Sequence, residues 1–384
     1  MMNSIPTTFH NPISEITPSH RMVISNSEMP FSPIIKITIL WSALAGYSVA
    51  FFREIVLRSN CLVQLIYQPC RPSAPYSEFD LSFCEDAFED TAETRGILED
   101  RVRKFKPDVI LMSSWSYSHF MSLSKKLKKK GVYIIAAMDN QYRGTLKQRI
   151  GTALSPIFLK PCINSFLVAG DRQAYLAKKL GYHNVMYGLY AAEVNLFASQ
   201  KPLSKRPSNF LFAGRLTEEK NIISLLEGYR SYRKMCSAPW DLNIVGTGPL
   251  KNSCGESPGV QMLGFIQPLD LPAVFEKARC FVLPSNFEPW GVVIHEAAAA
   301  GLPIIASNAC GAATRFVVDG LNGYTISPHP TSIGEALLRI ANKSNSELEK
   351  MSRHSTALAN LWTPQKLADY FIDSLLSRLR LGAR

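Results

Sequence analysis

The stretch Cys280-Phe-Val-Leu-Pro-Ser-Asn-Phe-Glu288-Pro-Trp-Gly-Val-Val-Ile-His-Glu296-Ala-Ala-Ala-Ala300-Gly-Leu-Pro-Ile-Ile-Ala306 decides the fold. An apolar run from Cys280 to Leu283 is closed by Pro284. An alanine-rich stretch of helical length follows, stops at Gly301, and leads into a second apolar run from Pro303 to Ala306. Strands buried on both faces read as unbroken apolar runs, and two of them joined by a helix make the unit of a parallel sheet.

The same alternation continues outward. Phe210 to Ala213, Leu242 to Val245, Val260 to Leu263 and Gly323 to Ile326 complete a strand series in the second half. The first half gives Ile34 to Leu40, Leu62 to Tyr67, Val109 to Ser113, Val132 to Ala137 and Ser165 to Ala169, with a short strand near Val185. Helical stretches lie between them, so the expected fold class is α/β with two Rossmann-like, doubly wound domains. A chain of 384 residues exceeds what one core usually organises. Residues 31–194 are expected to form the first, acceptor-side domain. The polar stretch 195–208, with Pro202 and Pro207, reads as the linker. Residues 209–364 form the second domain, and residues 365–384 a last helix packing back on the first. Residues 1–30, polar and proline-punctuated, read as a disordered extension.

Composition excludes several classes. With 46% apolar and 19% charged residues the chain is neither fibrous nor largely disordered. Its eight cysteines are scattered and contain no C-x-x-C pair, which favours reduced structural thiols over a disulfide framework or a zinc site. The first 30 residues lack the apolar core of a secretory leader, so a cytoplasmic location is expected. Ile37 to Phe52 is the one stretch that invites a membrane reading. It is short for the roughly 20 apolar residues a bilayer needs, and Ser42, Gly46 and Ser48 interrupt it. A buried strand, turn and helix fit it better.

The net charge of +11 is localised. Residues 101–160 hold 13 lysines and arginines against Asp108 and Asp139, which gives 13 − 2 = +11, the whole of the net charge. Lys125 to Lys130 is by default the solvated end of a helix. The patch continues, however, through Arg143, Lys147, Arg149 and Lys160, interleaved with Leu146, Ile150, Leu154, Ile157 and Phe158. A basic amphipathic stretch of this kind suits an anionic membrane surface. No nucleic-acid motif accompanies the charge, so nucleic acid is not an expected partner.

Three features of the second half converge on one ligand. Glu288 and Glu296 are eight residues apart across a helix start, roughly 12 Å along the axis, a span that suits a nucleotide sugar. The amides of Trp290, Gly291 and Val292 lie between them, where an anion is favoured. Arg215, just past a strand, and Lys220, at the next helix start, can neutralise a diphosphate without a metal. Gly246-Thr-Gly248-Pro249 follows another strand and permits close backbone approach to a ligand.

Gly214-Arg215-Leu216 with Lys220, Gly246-x-Gly248-Pro249, Gly264-Phe265, Glu288-x7-Glu296, Ala300-Gly301-Leu-Pro303 and Asp319-Gly320-x-Asn322-Gly323, in this order, resemble the C-terminal domain of glycosyltransferase family 4. The resemblance covers about residues 185–365. It implies the GT-B fold, two Rossmann domains facing each other across a cleft, and a retaining transfer of sugar from a nucleotide-diphosphate sugar, a co-substrate, with no further cofactor. It also implies roles. Arg215 and Lys220 hold the diphosphate, Glu288 contacts the donor sugar, Glu296 accepts from the ribose hydroxyls, and the backbone at Phe265 and Ile266 meets the base. Gly46 stands where the family has a glycine-rich loop, and Met138 where many members have a histidine, with Asp139 beside it as a candidate for a sugar hydroxyl or the reacting face.

The absence of any Asp-x-Asp sequence agrees with a metal-independent reaction. Trp115 and His119 are candidates for the acceptor side, and His295 reads as a packing residue. The acceptor is expected to be a saccharide or a lipid-linked chain in surface polysaccharide, lipopolysaccharide or glycolipid synthesis, handled at the inner face of the membrane. A nucleotide-sugar 2-epimerase of the same fold and a non-catalytic nucleotide-sugar-binding protein are the alternatives.

Overall fold

A computed structural model describes residues 34–69, 79–254 and 257–382. The expected extension at residues 1–30 and the thiol of Cys70 lie outside the described residues. The other seven cysteines are free.

Two parallel sheets carry the described chain. The first holds β1 (Ile35–Trp41), β2 (Cys61–Tyr67), β3 (Asp86–Glu89), β4 (Val109–Met112), β5 (Tyr133–Met138), β6 (Ser165–Val168) and β7 (Met186–Tyr187), in the order β3-β2-β1-β4-β5-β6-β7. The second holds β8 (Asn209–Ala213), β9 (Asp241–Val245), β10 (Val260–Gly264), β11 (Cys280–Leu283), β12 (Ile304–Ser307) and β13 (Gly323–Ile326), in the order β10-β9-β8-β11-β12-β13. Each is doubly wound, so the chain consists of two Rossmann-like α/β halves.

Burial explains the central strands. Every residue of β4, β6, β8, β11 and β12 is buried, as strands covered by helices on both faces must be. Polar exceptions are paired: the hydroxyl of Thr38 donates to the side-chain oxygen of Gln64 at 2.9 Å across β1 and β2, which satisfies two groups otherwise stranded in the core. The apolar stretch from Ile37 is indeed strand, turn and helix, with β1 ending at Trp41 and a helix running from Gly46 to Leu57. No helix among the described residues is long and apolar enough to cross a membrane.

Between the sheets, the stretch 195–208 is not bare chain. A short helix, Val194–Phe197, overlaps its start, and Leu203 and Arg206 are buried. The last helix, Pro364–Gly382, lies against the helix Gly46–Leu57 of the first half, with Phe371 edge-on to Phe51 at 5.7 Å and Arg58 paired to Asp369 at 2.6 Å.

Candidate functional site

In parallel sheets all strands end at the same edge, and the loops that leave this edge form the ligand crevice. The loop after β8 contains Arg215 and a short turn, Glu218–Lys220. Asn221, in the left-handed conformation at φ 59°, follows it. The side-chain Nδ2 of Asn221 donates to Pro284 O at 3.0 Å and Pro328 O at 2.7 Å, and Asn286 N donates to Glu219 O at 2.8 Å. These bonds tie the β8 loop to the loops after β11 and β13. They bring Lys220 Nζ onto Glu288 Oε2 as an ion pair whose side chains are 16% and 11% exposed. Arg215 stays exposed beside them.

Beyond Glu288 the chain turns through Gly291 at φ 94°, where a Cβ would stand 2.9 Å from Glu288 Cγ. Both conformation and space demand glycine here. The helix Val292–Ala299 starts at once with no side-chain cap, so its first amides remain available to an anion. Phe265 and Ile266 follow β10, held there by Gly246 N donating to Gly264 O at 2.7 Å. Phe265 is exposed and Ile266 half-buried.

Glu296, further along the same helix, is partly buried. Its pKa is pushed up to about 7, first by burial and then by the Glu193 carboxylate. Burial likewise raises Glu193, with Arg53 opposing and Glu54 adding to the shift. Glu193 Oε1 is 3.7 Å from where a Cβ on Gly46 would stand. Gly46 after β1, Glu193 after β7 and Glu296 of the second half thus share one corner. A second group stands beside it: the Tyr190 hydroxyl donates to Asp139 Oδ2 at 3.2 Å, and Tyr47, next to Gly46, packs edge-on to Tyr190 at 5.2 Å.

The packing around the other candidate residues is specific. Gly246 and Gly248 are required by protein: a Cβ would meet Gly214 O at 1.9 Å and Leu216 O at 2.5 Å, so their left-handed turns serve the packing of two loops. Met138 ends β5 with its side chain buried in the first half's core; Asp139, the next residue, is exposed. The Trp290 ring is buried against Gly170 of the first half, so only its backbone is offered to a ligand. Trp115 packs edge-on to Phe166 at 5.4 Å. His119 Nε2 lies 2.6 Å from Oδ2 of buried Asp90. His295 is structural: Nδ1 accepts from Ala192 N at 2.9 Å, Nε2 lies 3.1 Å from Ala359 O, and the ring stacks on Phe316 at 4.1 Å. Burial lowers its pKa to about 4.

Sequence reasoning missed Tyr47, Tyr190, Glu193 and Gln173. The last bridges the halves, its Nε2 donating to Asp139 O and to Pro289 O, each at 2.8 Å. Nothing in the local pattern marks these residues, because their partners are distant in the chain: Gln173 and Glu193 meet the second half, while Tyr47 and Tyr190 meet each other and Asp139 within the first.

Residues 195–357 match the family model described as glycosyl transferases group 1. The chain is 30% identical over 139 residues to the glycogen synthase of Mycobacterium tuberculosis, covering 34% of this chain and 33% of that protein, about a third of the relative's length. Among solved structures it is similar to a glycosyltransferase of Rickettsia africae, with a TM-score of 0.69, 12% identity and 92% and 100% of the two chains covered. It is also similar to HepE of Anabaena in complex with UDP, with a TM-score of 0.68, 14% identity and 89% and 100% covered. The second half is thus similar to the group 1 glycosyl transferases over residues 195–357, and the chain as a whole shares the two-Rossmann, GT-B architecture of these solved structures.

Proposed function

We propose that the protein is a retaining glycosyltransferase of family 4 type that moves a hexosyl group from a nucleotide-diphosphate sugar to an acceptor hydroxyl without a metal. The observation that carries this reading is the joining of Lys220 to Glu288 beside the uncapped start of the helix Val292–Ala299. In this reading Lys220, with Arg215 closing from the exposed side, and the amides of Trp290, Gly291 and Val292 bind the diphosphate. Charge that develops on the leaving phosphate meets groups already oriented toward it, so little reorganisation is needed during the reaction. Glu288 keeps Lys220 in place and reaches the donor sugar, while Glu296 takes the ribose hydroxyls and Phe265 and Ile266 meet the base. Asp139, fixed by Tyr190, faces the reacting sugar, and the leaving phosphate takes the acceptor proton. The UDP bound by the Anabaena neighbour supports a nucleotide donor. The basic first half supports a lipid-linked or anionic acceptor, such as a growing surface polysaccharide, at the cytoplasmic face of a membrane.

Thermal-shift titration with a panel of nucleotide sugars tests the donor site, because a ligand that binds only the folded state raises the melting temperature. One donor should give a shift that Lys220→Ala and Glu296→Ala lose. Full shifts in both variants would place the nucleotide elsewhere. Turnover that requires acceptor separates transfer from epimerisation, which consumes donor alone.

A further inference from the structure

The helix Leu146–Phe158 is almost unpartnered. Ser155 is its one buried residue, held by bonds to Thr152 O at 2.8 Å and Leu180 O at 3.2 Å. Leu146 is 73% exposed, Ile150 53%, Ile157 68% and Phe158 63%, with Leu154 also exposed. At about 100° per residue, the turn of an α-helix, these five side chains fall in one sector of about 120°, which near its edge also takes in Lys147, whose long stem can carry its charge past the apolar side chains, and Ser155 lies outside it. An isolated apolar residue on a surface needs no explanation, but a contiguous apolar helix face does.

Its surroundings carry one sign of charge. From residue 140 to residue 170 there is no aspartate or glutamate, while Arg143, Lys147, Arg149 and Lys160 are all exposed. Lys128 of the preceding helix donates to Lys160 O and Ile163 O, each at 2.6 Å, which places the exposed Lys125, Lys129 and Lys130 beside the helix's far end. A second copy docked face to face would oppose two like-charged rims with no acid between them. An anionic bilayer supplies both an apolar layer for the five side chains and phosphates for the rim.

We propose that this helix lies flat in the surface of an anionic lipid bilayer and fixes the orientation of the crevice on it. The helix begins seven residues after Asp139. The segment between them reaches the second half, with Arg143 over the Phe287 ring at 4.5 Å, next to Glu288. Docking therefore sets the mouth of the crevice at the lipid surface, where a lipid-linked acceptor is presented. This deepens the membrane part of the reading above and is tested apart from it.

The full-length protein is co-sedimented with vesicles of phosphatidylcholine alone and of phosphatidylcholine with about one third phosphatidylglycerol. Binding is expected to the second, falling steeply when salt is raised to roughly 0.5 M. The variant Ile150→Glu/Ile157→Glu is expected to bind at least tenfold more weakly, with its melting temperature and donor-induced shift unchanged. Lys147→Glu/Arg149→Glu is expected to lose the preference for anionic lipid. Absence of binding to anionic vesicles, or equal binding by the first variant, would overturn the proposal. A concentration-dependent dimer that this variant abolishes would do so as well, by assigning the face to a second copy. Loss of the donor shift with vesicle binding intact would count against the transferase reading and leave the docking surface standing.

Discussion

Burial acts on the adjacent side chains of His295 and Glu296 in opposite senses. Glu296, pushed up to about 7 from an ordinary 4.5, holds its proton longer in the folded protein than in the unfolded chain. Between those values folding binds protons, so its contribution to stability falls as pH rises. His295, lowered from 6.5 to about 4, is neutral when folded and charged when unfolded across that window, so its contribution rises with pH. The two nearly cancel between about pH 4.5 and 6.5. Glu296→Gln is therefore expected to expose the histidine: its melting temperature should climb from pH 5 to 6.5 more steeply than that of the wild type. At pH 7 the variant should be more stable by about 1–2 kcal/mol, allowing for the solvent that reaches the carboxyl, while binding donor more weakly. Parallel melting curves for the two proteins would refute the assignment. At the neighbouring pair, Lys220→Met leaves the Glu288 carboxylate largely buried without its cation, expected to cost about 1–3 kcal/mol. Lys220→Met/Glu288→Gln should recover most of that in urea denaturation without recovering donor binding.

At the scale of elements, the C-terminal helix shows which contacts hold the first half. Phe371 is fully buried against Phe51, whereas the Arg58–Asp369 pair is 38% and 46% exposed. Phe371→Ala is expected to cost about 3–5 kcal/mol, from lost transfer energy and a residual cavity. Asp369→Asn should cost less than about 1 kcal/mol, because solvent screens an exposed ion pair. Denaturant titration of both variants checks the ordering. The same contrast explains what the sequence made legible. Strands such as β8 and β11 are buried on both faces, so burial wrote them as apolar runs and their ends were read to within a residue. Strand β3, Asp-Ala-Phe-Glu, was missed because it lies at a sheet edge with alternate residues exposed, and its composition resembles a loop. Lys220 and Glu288 were legible through motif order and strand-end position. Glu193 and Tyr190 were not, since their partners Glu296 and Asp139 lie 103 and 51 positions away in the chain.

For the whole molecule, the seam between the halves is built from specific contacts. The Gly170 backbone is extended at φ −170°, a conformation open to any residue, yet a Cβ there would stand 2.5 Å from Trp290 Cζ3. Glycine is demanded by the opposite domain rather than by its own chain. Around it Gln173 bridges Asp139 O and Pro289 O, and Arg172 donates to Asn308 O at 2.7 Å and Ala309 O at 2.9 Å. If closure of this seam aligns Asp139 with Glu288, forcing it apart must weaken donor binding without unfolding either sheet. Gly170→Ala is therefore expected to lower donor affinity about 5- to 30-fold, the equivalent of about 1–2 kcal/mol for an overpacked contact, and to enlarge the radius of gyration measured by solution X-ray scattering. Trp290 Nε1 is buried without a hydrogen-bond partner, so the smaller ring of Trp290→Phe gives up no bond and makes room for the added methyl. Gly170→Ala/Trp290→Phe should then return both the dimensions and the affinity toward those of the wild type. A loss in Gly170→Ala that the second substitution fails to relieve would mean that the glycine acts through its own backbone, and that the seam does not govern the crevice.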